Sequence, residues 1–150
     1  MSKVFGTAAC LAWLLAAAVP AAAADAVPAG HVKTVSGTVS IVRGQTARPA
    51  HPGDPVYASD TLRTSADGAI GVTLRDDTRV SLGPNSEMLL DRYVYAPGEG
   101  GLGMVLKFLQ GVGVYVSGRM AKLAPDAIRL ETPSGIVGVR GTTVAIRVGA

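Results

Sequence analysis

From Val32 onward, apolar and polar residues alternate in short runs. Thr38 and Ser40 interleave with Val39 and Ile41, and Ile70, Val72 and Leu74 share one face of a run whose other face carries Gly71 and Thr73. The same alternation returns in Val80 and Leu82, in Val112, Val114 and Val116, and in Val144, Ile146 and Val148. Successive side chains of a strand point to opposite faces, so this period of two predicts half-buried strands, each about five or six residues long. No comparable run after residue 24 carries the 3.6-residue stripe of an amphipathic helix, although residues 120–127 have room for one short helical turn.

Turn signals punctuate the runs, among them Ser36-Gly37, Arg43-Gly44, Pro52-Gly53, Asp67-Gly68, Gly83-Pro84-Asn85, Pro97-Gly98, Ser117-Gly118 and Pro133-Ser134-Gly135. Their spacing suits a sandwich, barrel or solenoid. The predicted fold is therefore all-β, a single domain of short strands wound as a β-solenoid-like roll or sandwich over residues 25–150. Asp76-Asp77 reads as a two-residue hairpin loop that lets Leu74 and Val80 face one core, and the tolerance of Asp for positive φ accounts for both residues. The glycine-rich stretch 98–103 reads as the mobile loop of the domain, because clustered glycines lose the most backbone entropy on ordering.

Residues 1–24 belong to a different class of segment. Lys3 precedes an apolar stretch over residues 4–19, Pro20 breaks it, and Ala22-Ala23-Ala24 offers small residues before Asp25, the pattern of a cleaved secretory signal. The stretch is shorter than the ~20 residues a spanning helix needs. Removing it takes away Cys10, the chain's single cysteine, and with it disulfides, thiolate nucleophiles and Cys-ligated metals. The mature chain is expected in the periplasm, not embedded in the membrane. Its stability must come from an apolar core, which a domain of ~125 residues can supply.

Charge refines the picture only slightly. The whole chain carries +3, too mild to suggest nucleic acid as a partner. Residues 25–100 sum to −2 and residues 101–150 to +4, so the second half is the cationic one.

No constellation of catalytic residues stands out. Gly98, Gly100 and Gly103 satisfy the spacing of a dinucleotide-binding loop, but the segment after them is β-patterned, and no helix N-terminus is available to hold a pyrophosphate. His31 and His51 lie beside Gly and Pro punctuation, outside any metal-binding spacing. Scattered acids such as Asp54, Asp60 and Glu131 show no pairing that would mark a glycosidase, and no Ser–His pattern marks a nucleophile. The expectation is a protein that is not an enzyme and needs no cofactor and no metal.

Two ordered motifs make the chain less anonymous. Gly53-Asp54, Leu62-Arg63-Thr64, the alternating run, the Asp76 turn, a second run to Leu82 and Gly83-Pro84-Asn85-Ser86 resemble, over residues 53–91, the central repeat of the FecR domain family. Thr132-Pro133-Ser134-Gly135 and Val139-Arg140-Gly141-Thr142, within residues 130–146, are similar to the closing signature of that family. With the opening run over residues 32–42, the resemblance covers nearly all of the chain after residue 24. It implies a periplasmic β module. Family members that regulate iron-siderophore uptake join a cytoplasmic sigma-factor-binding segment, one membrane helix and a receptor-contacting periplasmic part. This chain opens on an export signal and ends soon after Thr142, so the sigma-regulating role is not carried over.

The functional expectation is an exported, non-enzymatic interaction or signalling accessory module whose partner is an envelope or membrane signalling protein. Candidate partner-binding residues are Arg140, which could equally anchor a loop, and Tyr93 with Tyr95, which share a strand face and would either form a platform or cover an edge of the core. The alternative expectation is a small carbohydrate- or peptidoglycan-binding domain using that tyrosine pair for stacking.

Overall fold

The structure, a computed structural model, describes residues 27–139 and 143–149. Residues 1–24, expected to be a secretory signal, and Arg140 lie outside the described residues. The alternating runs become twelve strands: β1 (Gly30–Ser36), β2 (Val39–Arg43), β3 (Thr46–Pro49), β4 (Pro55–Val56), β5 (Thr61–Thr64), β6 (Ala69–Leu74), β7 (Arg79–Leu82), β8 (Glu87–Ala96), β9 (Gly101–Val116), β10 (Ile128–Thr132), β11 (Gly135–Gly138) and β12 (Thr143–Val148). One five-residue helix, α1 (Arg119–Leu123), and a 3-10 turn at Pro125–Ala127 occupy the stretch expected to hold a helical turn. No described helix is long and apolar enough to cross a membrane.

Strand β9 organises the sheet. Its first part pairs antiparallel with β8 and parallel with β10, its last six residues pair antiparallel with β12, and the last four of these pair antiparallel with β7 as well. From these halves two limbs extend, β8-β5-β2-β3 and β7-β6-β1-β4, and the sheet curls into a half-barrel within one domain. The all-β reading holds. The inward positions of the limbs meet in one core, with Ile41, Leu62, Leu90, Leu106 and Leu130 from one side and Val32, Val72, Val80 and Tyr115 from the other, all nearly inaccessible to solvent.

The run over residues 112–116, expected as a separate strand, is the far end of a 16-residue strand. Gly111 and Gly113 interrupt the apolar pattern there without interrupting the backbone. Gly111 has φ +85°, and a Cβ on it would collide with the Ser86 hydroxyl, so the strand bends at the one residue type that accepts both conditions. Ser86 fixes the bend: its hydroxyl accepts the Val112 N–H at 2.9 Å, and its own N–H is bound at 2.9 Å by the Thr64 hydroxyl.

Two local expectations need correcting. The β6–β7 loop has four residues, 75–78, closed by Leu74 N–H to Thr78 O at 2.8 Å and Asp77 N–H to Leu74 O at 3.0 Å, with Asp77 at φ 67°. Asp77 thus bears out the tolerance for positive φ, whereas Asp76 is fully buried. The glycine-rich loop is shorter than expected. A 3-10 turn at Pro97–Glu99 and Gly100 complete it, while Gly101 and Gly103 already pair with Ala96 and Val94, because the β8 ladder offers their backbone groups partners.

Strand β6 tests the register. Val72 lies inward between Val32 and Val80, and Thr73 lies outward between His31 and Arg79. Val72→Asp buries an unpaired carboxylate and should cost about 3 kcal/mol or more. Thr73→Asp, set beside a cation, should change stability by less than about 1 kcal/mol. Thermal unfolding of the two variants checks this, and equal damage from both would contradict the assigned faces.

Candidate functional site

Two carboxylates, Asp60 and Asp76, are completely buried, and each is the centre of a structural network. Asp60 receives a bidentate pair from Arg43, Nε to Oδ1 at 2.8 Å and Nη2 to Oδ2 at 2.7 Å, together with the Tyr57 N–H at 2.9 Å. The Arg43 guanidinium also lies 4.4 Å over the Tyr57 ring. This clamp joins the end of β2 to the loop ahead of β5.

Asp76 has no cation on its carboxylate among the described residues. Its Oδ1 accepts the Tyr93 hydroxyl at 2.9 Å and the Thr78 N–H at 3.3 Å, and its Oδ2 accepts the Thr78 hydroxyl at 2.7 Å and the Met120 N–H at 3.2 Å. The Asp76 backbone takes part as well: its N–H donates to Tyr93 Oη at 3.0 Å, and its carbonyl accepts the Arg119 N–H at 2.7 Å. Helix α1 begins at Gly118 without a side-chain cap of its own, and Asp76 supplies that cap from across the fold. Gly118 must be glycine, because a Cβ would strike the backbone of the 76–78 turn.

These bonds decide where the predicted site residues stand. Tyr93 is buried, with its hydroxyl committed to Asp76, and burial followed by the nearby Asp76 charge pushes its pKa above the usual tyrosine value. Tyr95, opposite Leu102 on β9, is half-buried against the core. The other aromatics among the described residues are placed similarly: Phe108 and Tyr115 are buried, and Tyr57 lies under Arg43. Among the candidate acids, Asp54 accepts the His51 N–H at 2.9 Å, and Glu131 lies 3.9 Å from both Lys107 and Arg129. No group of three or more His, Cys, Asp or Glu side chains converges among the described residues.

The surface feature that sequence reasoning missed is the β10–β11 hairpin. Its turn is tied by Thr132 Oγ1, which accepts the Ser134 N–H at 3.3 Å and donates to Gly135 O at 3.1 Å. Ile136 stands 63% exposed on β11, above a groove of about 450 Å³ that runs along β11 toward Pro125 and Asp126. The letters Thr-Pro-Ser-Gly signal the turn, but the open space beside it arises from where Pro125–Ala127 crosses, which local pattern does not encode.

The sequence profile of the family described as FecR protein matches residues 60–150, more than half of the chain. The match opens on Asp60 and takes in Asp76, Tyr93, Gly118 and the β10–β11 hairpin. No curated protein and no solved structure matches the chain.

The Asp76 network makes two opposite expectations for neighbouring tyrosines. Tyr93→Phe strips Asp76 of a donor and an acceptor and should cost about 1–3 kcal/mol. Tyr115 is buried with a hydroxyl that forms no hydrogen bond among the described residues, so Tyr115→Phe should be neutral or stabilising at pH 7. Burial, then the Asp76 charge, pushes the Tyr115 pKa up to about 12. The unfolded chain releases that proton from about pH 10, so stability falls as pH rises from there toward 12. Melting temperatures at pH 9 and pH 11 should therefore differ less for Tyr115→Phe than for the parent chain.

Proposed function

Because the chain belongs to the FecR protein family, a family of signalling-related envelope proteins, we propose that it is an exported, non-enzymatic accessory module that works in the periplasm by contacting a signalling protein of the cell envelope. The observation that carries this reading is the use made of the buried carboxylates. Asp60 and Asp76 are the groups on which acid–base chemistry inside this domain would rest, and both are saturated by bonds that join strands, turns and α1. Export is supported by the charged, apolar and small-residue order of residues 1–24.

A sugar-binding role asks for open aromatic faces, and Tyr93 is enclosed while Tyr95 is only half accessible. Arg140 remains a candidate contact residue beside the β11 hairpin in sequence.

Two measurements test the proposal. Mass spectrometry of the periplasmic fraction should find a form beginning at or near Asp25, and an intact Met1 form held in the membrane would overturn export. Mild crosslinking in whole cells should give one discrete adduct with an envelope protein. Recovery of the chain without any discrete adduct, or pelleting with purified peptidoglycan that is lost in Tyr95→Ala, would overturn the signalling role.

A further inference from the structure

The end of β9 is apolar on both faces. Residues 112–116 read Val-Gly-Val-Tyr-Val, with Gly113 and Tyr115 buried toward the core and Val112, Val114 and Val116 on the outer side, where Val112 is 37% exposed. A strand with one solvated face alternates apolar with polar residues, whereas a strand covered on both faces reads as a nearly continuous apolar run. The side chains level with the valines stand open: Arg79 and Ser81 on β7, and Thr143, Ala145 and Arg147 on β12. The same outer side continues through Gly71 and Thr73 of β6 to Lys33 and Thr34 of β1. Its centre is short-chained and level, about 20 Å on a side at ordinary strand spacing.

The charges of this face have one sign. Strands β1, β6, β7 and β12 and residues 111–116 of β9 contain no Asp or Glu, whereas Lys33, Arg79 and Arg147 are exposed on them and form no ion pair among the described residues. The acids that border this half of the sheet are engaged elsewhere: Asp54 with His51, Asp67 with the Thr38 N–H and Asp77 with Arg119. The outer side of the other half is built differently, for there Arg63 pairs with Glu87 and Lys107 with Asp91, each at 3.3 Å. Arg79 and Arg147 stand diagonally across the valines, Arg79 level with Val116 on one flank and Arg147 level with Val112 on the other. An uncharged centre with charge at its margin is the layout of a protein–protein contact.

We propose that this outer face docks a folded partner protein whose own flat apolar patch is edged by carboxylates, with the three valines at the dry centre and Lys33, Arg79 and Arg147 meeting the acids at the margin. This rests on the reading of the chain as a partner-binding module and names the place of the contact and the charge it requires. The extent of the face suits a small, transient contact, in which complementary charge sets partner choice and encounter rate. A second copy of this chain is a poorer occupant, because a two-fold contact of the patch with itself sets cations against cations. A lipid surface is poorer too, since no Trp, Phe or Leu stands on the face to insert among acyl chains.

The test places a photo-crosslinking residue at Ser81, beside Val114, in the chain expressed in whole cells. Illumination should give a discrete adduct with an envelope protein, and the same residue at Arg63, on the outer side of the other half, should not. In the Ser81 background, Arg79→Glu with Arg147→Glu should lower the adduct yield at least about tenfold, and so should Val114→Glu. Melting temperatures should stay near the parent's, because these side chains lie on the outer side and not in the core. Arg48→Glu with Lys122→Glu makes the same change of charge away from the face and should leave the yield unaltered. Equal yields from the two double variants overturn the proposal. An adduct absent at Ser81, while mild crosslinking of the parent chain still traps an envelope protein, sinks this face and leaves the module reading standing; absence by both routes sinks that reading itself. Two results with the purified chain overturn the proposal in favour of another occupant. A dimer in sedimentation that Val114→Glu dissolves points to self-association. Pelleting with vesicles of phosphatidylethanolamine and phosphatidylglycerol that is lost in the Arg79→Glu, Arg147→Glu variant points to lipid.

Discussion

A carboxylate removed from water must be paid in hydrogen bonds, and the arrangement around Asp76 follows from that demand. The side chain gathers a hydroxyl from β8, a hydroxyl and an amide from Thr78, and an amide from α1. Three segments, the 76–78 turn, β8 and α1, are thereby held at one point. Neighbouring features then fall into place: Tyr93 must turn inward, Gly118 must lack a side chain, and Asp77 takes the left-handed conformation in the loop that turns Asp76 toward the core. The surface ion pair between Arg119 and Asp77, at 3.0 Å, closes the same corner from outside but is too exposed to contribute much.

The bend of β9 is the second constraint, and it is solved with different chemistry. A strand that serves both halves of a curled sheet has to change direction, and the change leaves backbone groups without ladder partners. Ser86 and Thr64 stand in for the missing ladder, the first on Val112 and the second on Gly83 and Ser86. Phe108 then folds back over Gly113, filling the inside of the curve.

How much of this the sequence discloses depends on range. Alternation located the cores of the strands, including the inward face of Ile70, Val72 and Leu74, because that signal is written in neighbouring residues. The FecR-like motifs were legible for the same reason, as contiguous letters. The burial of Asp76 was not, since it depends on Tyr93, Thr78 and Met120 arriving together, and only Thr78 is near in sequence. Tyr93 and Tyr95 were rightly placed on one side of β8, yet alternation cannot say how deep each lies; a bulge near Leu90 and Arg92 and the pull of Asp76 decide that. The groove beside β11 was hidden because its wall at Pro125–Ala127 and its floor at β11 become neighbours only in the folded sheet.

The four partners of β9 also set an order of events. Two of them, β7 and β8, are made before it, and two, β10 and β12, after it, with β12 the last of the described strands. While the protein is being synthesised, the first half of the central strand therefore keeps an open edge until residues 128–132 have emerged, and the second half until residues 143–148 have. Such a topology cannot finish folding piecemeal from its N-terminus. Its closing step is a search by the C-terminal strands for a long strand already seated in the sheet, and a chain cut short before Thr143 would leave the far half of that strand exposed to whatever else could pair with it.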